Sequence, residues 1–223
     1  MTALVYLSGK LDKTMEDLNH SAIRDGGFLA KAGIHRLSTY PTGTVGQLLK
    51  TYRKFLFVRD PFERLVSAYR HKFTRYNNFT EFFQHTYGRE MIRRYRMNPS
   101  EKSLHDAKDV KFEEFLMYLT DTSIPNRLAN SHWAPYNTLC HPCEVDYDYV
   151  GKIETMDEDN EMIIKLLFNQ TTSSRGFQFP MQKSNGNITV TRTHLANISA
   201  ELRNALWKTY GVDFRLFGYW GRF

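Results

Sequence analysis

The stretch Lys54–Ser67, KFLFVRDPFERLVS, decides how the chain is read. Lys54–Val58 is a short apolar run bounded by charge, the pattern of a buried parallel strand. At Asp60 the pattern changes. Asp60 suits a helix N-cap, Pro61 suits the first helical position, and Glu63 stands three residues after the cap. Phe62, Leu65, Val66 and Tyr69 then recur at i, i+3, i+4 and i+7, an apolar stripe turned toward a core. Strand running into helix is the unit from which α/β sheet domains are built.

Outward from this stretch the same alternation continues. Helices are expected over 43–53, 87–97, 112–120, 157–168 and 200–209, and a strand over 145–153 (VDYDYVGKI). Residues 1–10 read as a helix end or a short strand, and 11–40 as loop-rich. There is no internal repeat, and the 223 residues are expected to form a single domain, 1–223.

Apolar residues make up 41% and charged residues 24%, which excludes disordered, collagen-like and coiled-coil chains. No run approaches the length of a membrane span, and no basic-then-apolar leader follows Met1. The net charge of +6 favours anionic partners. Nucleic acid is set aside, because no helix-turn-helix, zinc-finger or RNP-type signature is present.

The chemistry centres on Arg59 and Ser67. Arg59 stands at the carboxyl end of the expected strand, where open α/β sheets place ligands. Ser67 lies in the second turn of the helix that follows. Asp60 already puts negative charge at the helix mouth, so a phosphate would meet the Arg59 guanidinium and the Ser67 hydroxyl from the side. The alternative is that Arg59 pairs with a nearby carboxylate and Ser67 is merely small.

Two further patterns bear on compartment. Cys140 and Cys143 form a single C-x-x-C, open to a redox, zinc or disulfide reading. Glycosylation acceptors occur at Asn19, Asn78, Asn169, Asn187 and Asn197, which leans toward a lumenal or extracellular life. In an oxidising lumen the two cysteines would most simply bond to each other, whereas in a cytosol they would be two thiols.

The block KFLFVRDPFERLVSAYRHKF (54–73) resembles the 3′-phosphate-binding segment of the Golgi carbohydrate sulfotransferases. The likeness continues through REMIRRYR (89–96), KFEEFLMYL (111–119), HW (132–133), LCHPCEVDYDYVGKIET (139–155) and DFRLFGY (213–219), nearly the whole chain. The Cys140–Thr155 block is similar to the chondroitin/dermatan 4-O-sulfotransferase branch. The resemblance implies a P-loop-type sulfotransferase fold, an α/β arrangement with a central parallel sheet flanked by helices. It implies transfer of a sulfuryl group from 3′-phosphoadenosine-5′-phosphosulfate (PAPS) to a sugar hydroxyl of a glycosaminoglycan or glycoprotein glycan. Residues Arg59, Asp60, Pro61, Phe62, Glu63, Arg64, Leu65, Val66 and Ser67 would form the donor segment, with Arg59 and Ser67 on the 3′-phosphate.

The family carries an earlier phosphate loop of the form Pro-Lys-x-x-Cys/Gly-x-Asn/Ser-x-x-Lys-Arg, which this sequence lacks; TALVYLSGK resembles the helix after it. The chain is therefore expected to be N-terminally incomplete, lacking the first strand, the phosphate loop and the membrane anchor. The resemblance implies the lumenal side of a Golgi membrane, with a type II anchor outside this sequence.

Sulfuryl transfer needs in-line geometry, cationic groups for the leaving phosphate, and a base for the incoming hydroxyl. Lysine and arginine can supply that charge, so no metal is expected. His20 is the first candidate base and His35 the second. Arg89, Arg93 and Arg96 share a helical face that would suit an acidic acceptor, or would simply be solvated. Trp133 would stack on a sugar beside His132 or belong to the core, and Gly151-Lys152 would approach the donor. A catalytically inactive descendant that keeps part of the fold and the 3′-phosphate site is the competing reading.

Overall fold

A strand ends and a helix begins within three residues. In the computed structural model, which describes residues 35–75, 78–168 and 188–219, strand β1 spans Phe55–Val58 and helix α2 spans Pro61–Phe73. Asp60 is the N-cap, Pro61 sits at the first helical position, and the Asp60 carboxylate accepts from the Phe62 and Glu63 backbone N–H groups. Among the described residues, helix α1 (Thr42–Thr51) stands before this pair. Strand β2 (Tyr149–Lys152) pairs with β1 in a two-stranded sheet. The pairing is parallel: Lys54 N–H meets the Asp148 carboxylate, and Asp60 N–H meets Glu154, both at a separation of 94 residues. Among the described residues the fold is thus a mixed helical chain with a small parallel sheet, in keeping with the α/β class. Residues 1–10 and His20 lie outside the described residues.

Among the described residues the other α-helices are α3 (Asn78–Phe83), α4 (Arg89–Tyr95), α5 (Glu101–Asp106), α6 (Phe112–Thr120), α7 (Tyr136–Cys140), α8 (Met156–Phe168), α9 (Ile188–Ala196) and α10 (Ala200–Leu216). A π-helical turn, Gln84–Gly88, joins α3 to α4. A methyl group on Gly88 would stand 2.9 Å from Val110 Cγ2, so the close approach there requires glycine.

The chain divides into two compact units. The first comprises Met1–Phe55, Tyr147–Gly151 and Thr155–Lys183. In its described part Asp148 accepts from Lys54 N–H at 2.8 Å and from Arg53 Nη1 at 2.9 Å. The Lys54 backbone bond, then Arg53, pull the Asp148 carboxyl down to about 2. Tyr149 and Thr155 both donate to Asp159 near the start of α8.

The second unit comprises Leu56–Asp146, Lys152–Glu154 and Ser184–Phe223. Its core is aromatic. Phe62, Leu65, Tyr69 and Phe73 of α2 meet Phe115, Leu116 and Leu119 of α6, and Leu206, Tyr210 and Phe214 of α10, with Trp133 buried among them. Each such side chain removed from water contributes about 1.5–3 kcal/mol. The ring pairs Phe62–Phe214 and Phe115–Trp133 meet edge to face at 4.8 and 5.6 Å.

Candidate functional site

Arg59 follows the last residue of β1, and its side chain turns along α2. Its Nε and Nη2 both reach Glu63 Oε2 at 3.4 Å. Glu63 occupies one edge of the guanidinium and takes two of the five N–H donors such a group carries, leaving three. The Arg59 side chain is 20% exposed and that of Glu63 only 6%. Ser67 lies one turn beyond Glu63, on the same stripe of the helix. It is half-buried, and its hydroxyl makes no hydrogen bond among the described residues. The carboxylate partner considered from sequence is therefore present, and the guanidinium keeps donors for a second acceptor. Three guanidinium N–H groups and a hydroxyl beside one helix fit a phosphate dianion.

Asp60 is fully buried. Oδ1 accepts from Phe62 N–H at 2.9 Å and Glu63 N–H at 3.1 Å, while Oδ2 has no partner among the described residues. Burial first, then the charges of Glu63 and Glu154, push its carboxyl up to about 6.

The other residues of the expected donor segment divide by helix face. Pro61, Phe62, Leu65 and Val66 are buried and pack the helix against the core. Arg64 is committed elsewhere. It donates to the carbonyls of Ala134 at 2.5 Å and Ser131 at 2.7 Å, and its guanidinium lies 4.3 Å above the Tyr136 ring. Beside Phe62 an open groove of about 240 Å³ is bounded by Arg192, Leu195, Ala196 and Arg203.

Four residues that sequence reasoning passed over support this corner. Arg59 N–H donates to Tyr136 Oη at 3.2 Å, and Asp60 N–H to Glu154 Oε1 at 2.7 Å. Asp213 accepts from the N–H groups of Tyr136 and Asn137 at 2.6 and 2.9 Å. Tyr219 donates to Glu154 Oε2 at 2.9 Å. No local pattern marks these residues; three of them lie inside blocks quoted only for their likeness to the family.

One expectation is corrected. The arginine face of Arg89, Arg93 and Arg96 does not exist, because α4 ends at Tyr95 and Arg96 is extended. Arg96 instead bonds Glu114 at 2.7 and 2.8 Å and Asp109 at 2.6 Å, as a structural clamp. Arg93 and Arg94 both pair with Glu90. Trp133 is fully buried and donates from Nε1 to Arg127 O, so it packs the core rather than a sugar, whereas His132 is exposed. Lys152 Nζ lies 4.7 Å from the Tyr219 ring. His35 is exposed, edge-on to Tyr40. Cys140 and Cys143 are not joined; His141 between them adopts φ 49°, Cys143 is exposed, and burial raises the Cys140 thiol.

With this geometry in place, the comparisons with known proteins decide the lineage. The family model described as "Sulfotransferase family" matches residues 1–220. The chain belongs to the sulfotransferase family. Among its relatives, Carbohydrate sulfotransferase 11 of Rattus norvegicus is 41% identical over 191 residues, 84% of this chain and 53% of the relative. Carbohydrate sulfotransferase 8 of Homo sapiens is 33% identical over 222 residues, 97% of this chain and 49% of the relative. Carbohydrate sulfotransferase 12 of Mus musculus is 39% identical over 178 residues, covering 77% and 41%. This sulfotransferase-family chain thus spans about half the length of the curated relatives it matches. No solved structure matches it.

Proposed function

We propose that the chain belongs to a carbohydrate sulfotransferase that moves a sulfuryl group from PAPS to a sugar hydroxyl. The observation that carries the reading is the corner at the end of β1, with its partly exposed guanidinium, a Ser67 hydroxyl that has no partner among the described residues, and its buried support. The names of the relatives give the substrate class, carbohydrate. The likeness of the Cys140–Thr155 block favours chondroitin or dermatan 4-O-sulfation. The five glycosylation acceptors favour a lumenal enzyme of the Golgi membrane.

In this reading Arg59 and Ser67 hold the 3′-phosphate of the donor. That grip fixes the donor so that the acceptor oxygen approaches sulfur in line. A new sulfur–oxygen bond forms to the sugar. The bond from sulfur to the bridging phosphate oxygen breaks, and adenosine 3′,5′-bisphosphate leaves with that electron pair. The acceptor proton passes to a base, for which His20 is the candidate and His35 the reserve. The test is transfer of labelled sulfate from PAPS to a panel of desulfated glycosaminoglycans and glycans. Label on a sugar hydroxyl is the expected result. Donor binding without transfer to any carbohydrate would favour the inactive descendant, a reading that the Arg59–Glu63 pairing supports.

A further inference from the structure

Arg59 and Asp60 lie between β1 and α2, where neither strand nor helix offers their N–H groups a partner. Both are nevertheless bonded, and each to a side chain distant in sequence. Arg59 N–H reaches the Tyr136 hydroxyl, 77 residues away, and Asp60 N–H reaches Glu154, 94 residues away.

Each acceptor is in turn fixed by the end of α10. Asp213, fully buried, takes the N–H groups of Tyr136 and Asn137 at the start of α7. Two bonds from one carboxylate set where the Tyr136 backbone sits, and the Arg64 guanidinium above the ring restrains the side chain. On the other side Tyr219, 2% exposed, donates to Glu154. Its place follows from the helix end: Gly218 is left-handed at φ 65°, and Tyr219 N–H turns back to Phe214 O at 3.0 Å. Asp213 and Tyr219 bound the segment DFRLFGY.

The geometry points to a clamp: Asp213 through Tyr136, and Tyr219 through Glu154, hold the Arg59–Asp60 backbone and so aim the Arg59 guanidinium at the donor's 3′-phosphate. These four are positioning residues, since each acts through Arg59 or Asp60. The inference rests on the donor-site reading above. It assigns to the C-terminal helix end a role in donor recognition rather than in packing alone.

The isosteric variants Tyr136→Phe and Tyr219→Phe each remove one hydroxyl from the full chain. Amide exchange reads the clamp without any ligand: the Arg59 amide should exchange faster in Tyr136→Phe, and the Asp60 amide in Tyr219→Phe. Binding of adenosine 3′,5′-bisphosphate should weaken roughly three- to tenfold in each. Binding of adenosine 5′-monophosphate should not change. In an Arg59→Ala background, Tyr136→Phe should weaken the bisphosphate no further. Variants that unfold at the wild-type temperature and keep both the amide protection and the 3′-phosphate preference would overturn the clamp while leaving the donor site intact. If Arg59→Ala itself leaves the 3′-phosphate preference unchanged, the donor-site reading falls and takes the clamp with it. Should Tyr136→Phe weaken adenosine 5′-monophosphate equally, its role is general packing and the clamp is likewise overturned.

Discussion

Asp60 is a buried carboxylate with one oxygen bonded and the other without a partner among the described residues. Its carboxyl, at 3.8 in an ordinary setting, is pushed up to about 6 by burial and by Glu63 and Glu154. The folded chain therefore holds a proton on Asp60 more tightly than the unfolded chain does. Between about pH 4 and 6 the native state binds more protons, so this group's contribution to stability falls as pH rises. Above pH 6 the full penalty applies, on the order of 3 kcal/mol. Asp60→Asn keeps the capping oxygen and removes the charge. Urea titrations from pH 4 to 7.5 should show the variant gaining on the wild type across this window. A difference independent of pH would mean that Asp60 stays ionised. At Ser67, alanine removes a hydroxyl with no partner among the described residues, so its stability should change by less than about 0.5 kcal/mol. Weaker binding of adenosine 3′,5′-bisphosphate with an unchanged melting temperature is the expected signature of a donor-site hydroxyl. Unchanged binding removes Ser67 from the site. The cap at Asp60 and the arginine at the strand end are local patterns the sequence made visible, but Glu63, three residues after the cap, bonds Arg59 while Asp60 N–H goes to Glu154. For Arg59 the sequence offered only a nearby carboxylate, which the structure identifies as Glu63.

At the scale of elements, the expected strands and helices are found where propensity and packing agree. Helix α6 covers Phe112–Thr120, as its apolar periodicity requires. Helix α10 runs past Gly211 to Leu216, although an interior glycine costs about 1 kcal/mol. Burial of Tyr210 and Phe214 outweighs that cost. Helix α4 is the opposite case, because the run of arginines disguised its end at Tyr95. Arg96 leaves the helix to reach the buried Glu114, which also bonds Lys111 N–H at the start of α6. Removing one partner of such a pair leaves a buried charge uncompensated. Arg96→Ala should lose about 3 kcal/mol in chemical denaturation, whereas Arg93→Ala, an exposed pair with Glu90, should lose less than about 1. Equal losses would mean that Arg96 is a surface residue after all. What local patterns could not reveal are the links from Arg59 and Asp60 to Tyr136 and Glu154, 77 and 94 residues away. No periodicity encodes a contact at that separation.

Across the molecule, the family is shown by a match over residues 1–220 and by relatives covering up to 97% of the chain. The function proposed here depends on one physical premise, that the guanidinium at the end of β1 takes a phosphate in addition to Glu63. The chain carries a net charge of +6, which attracts any anionic nucleotide in a general way that salt screens. The decisive comparison separates that attraction from recognition. The full chain and its Arg59→Ala variant are titrated calorimetrically with adenosine 3′,5′-bisphosphate and with adenosine 5′-monophosphate at fixed salt. Charge-assisted bonds to Arg59 should make the 3′-phosphate worth roughly ten- to a hundredfold in affinity, and Arg59→Ala should abolish most of that preference. Equal affinity for the two nucleotides, or a preference that survives in Arg59→Ala, would contradict the placement of the donor at Arg59.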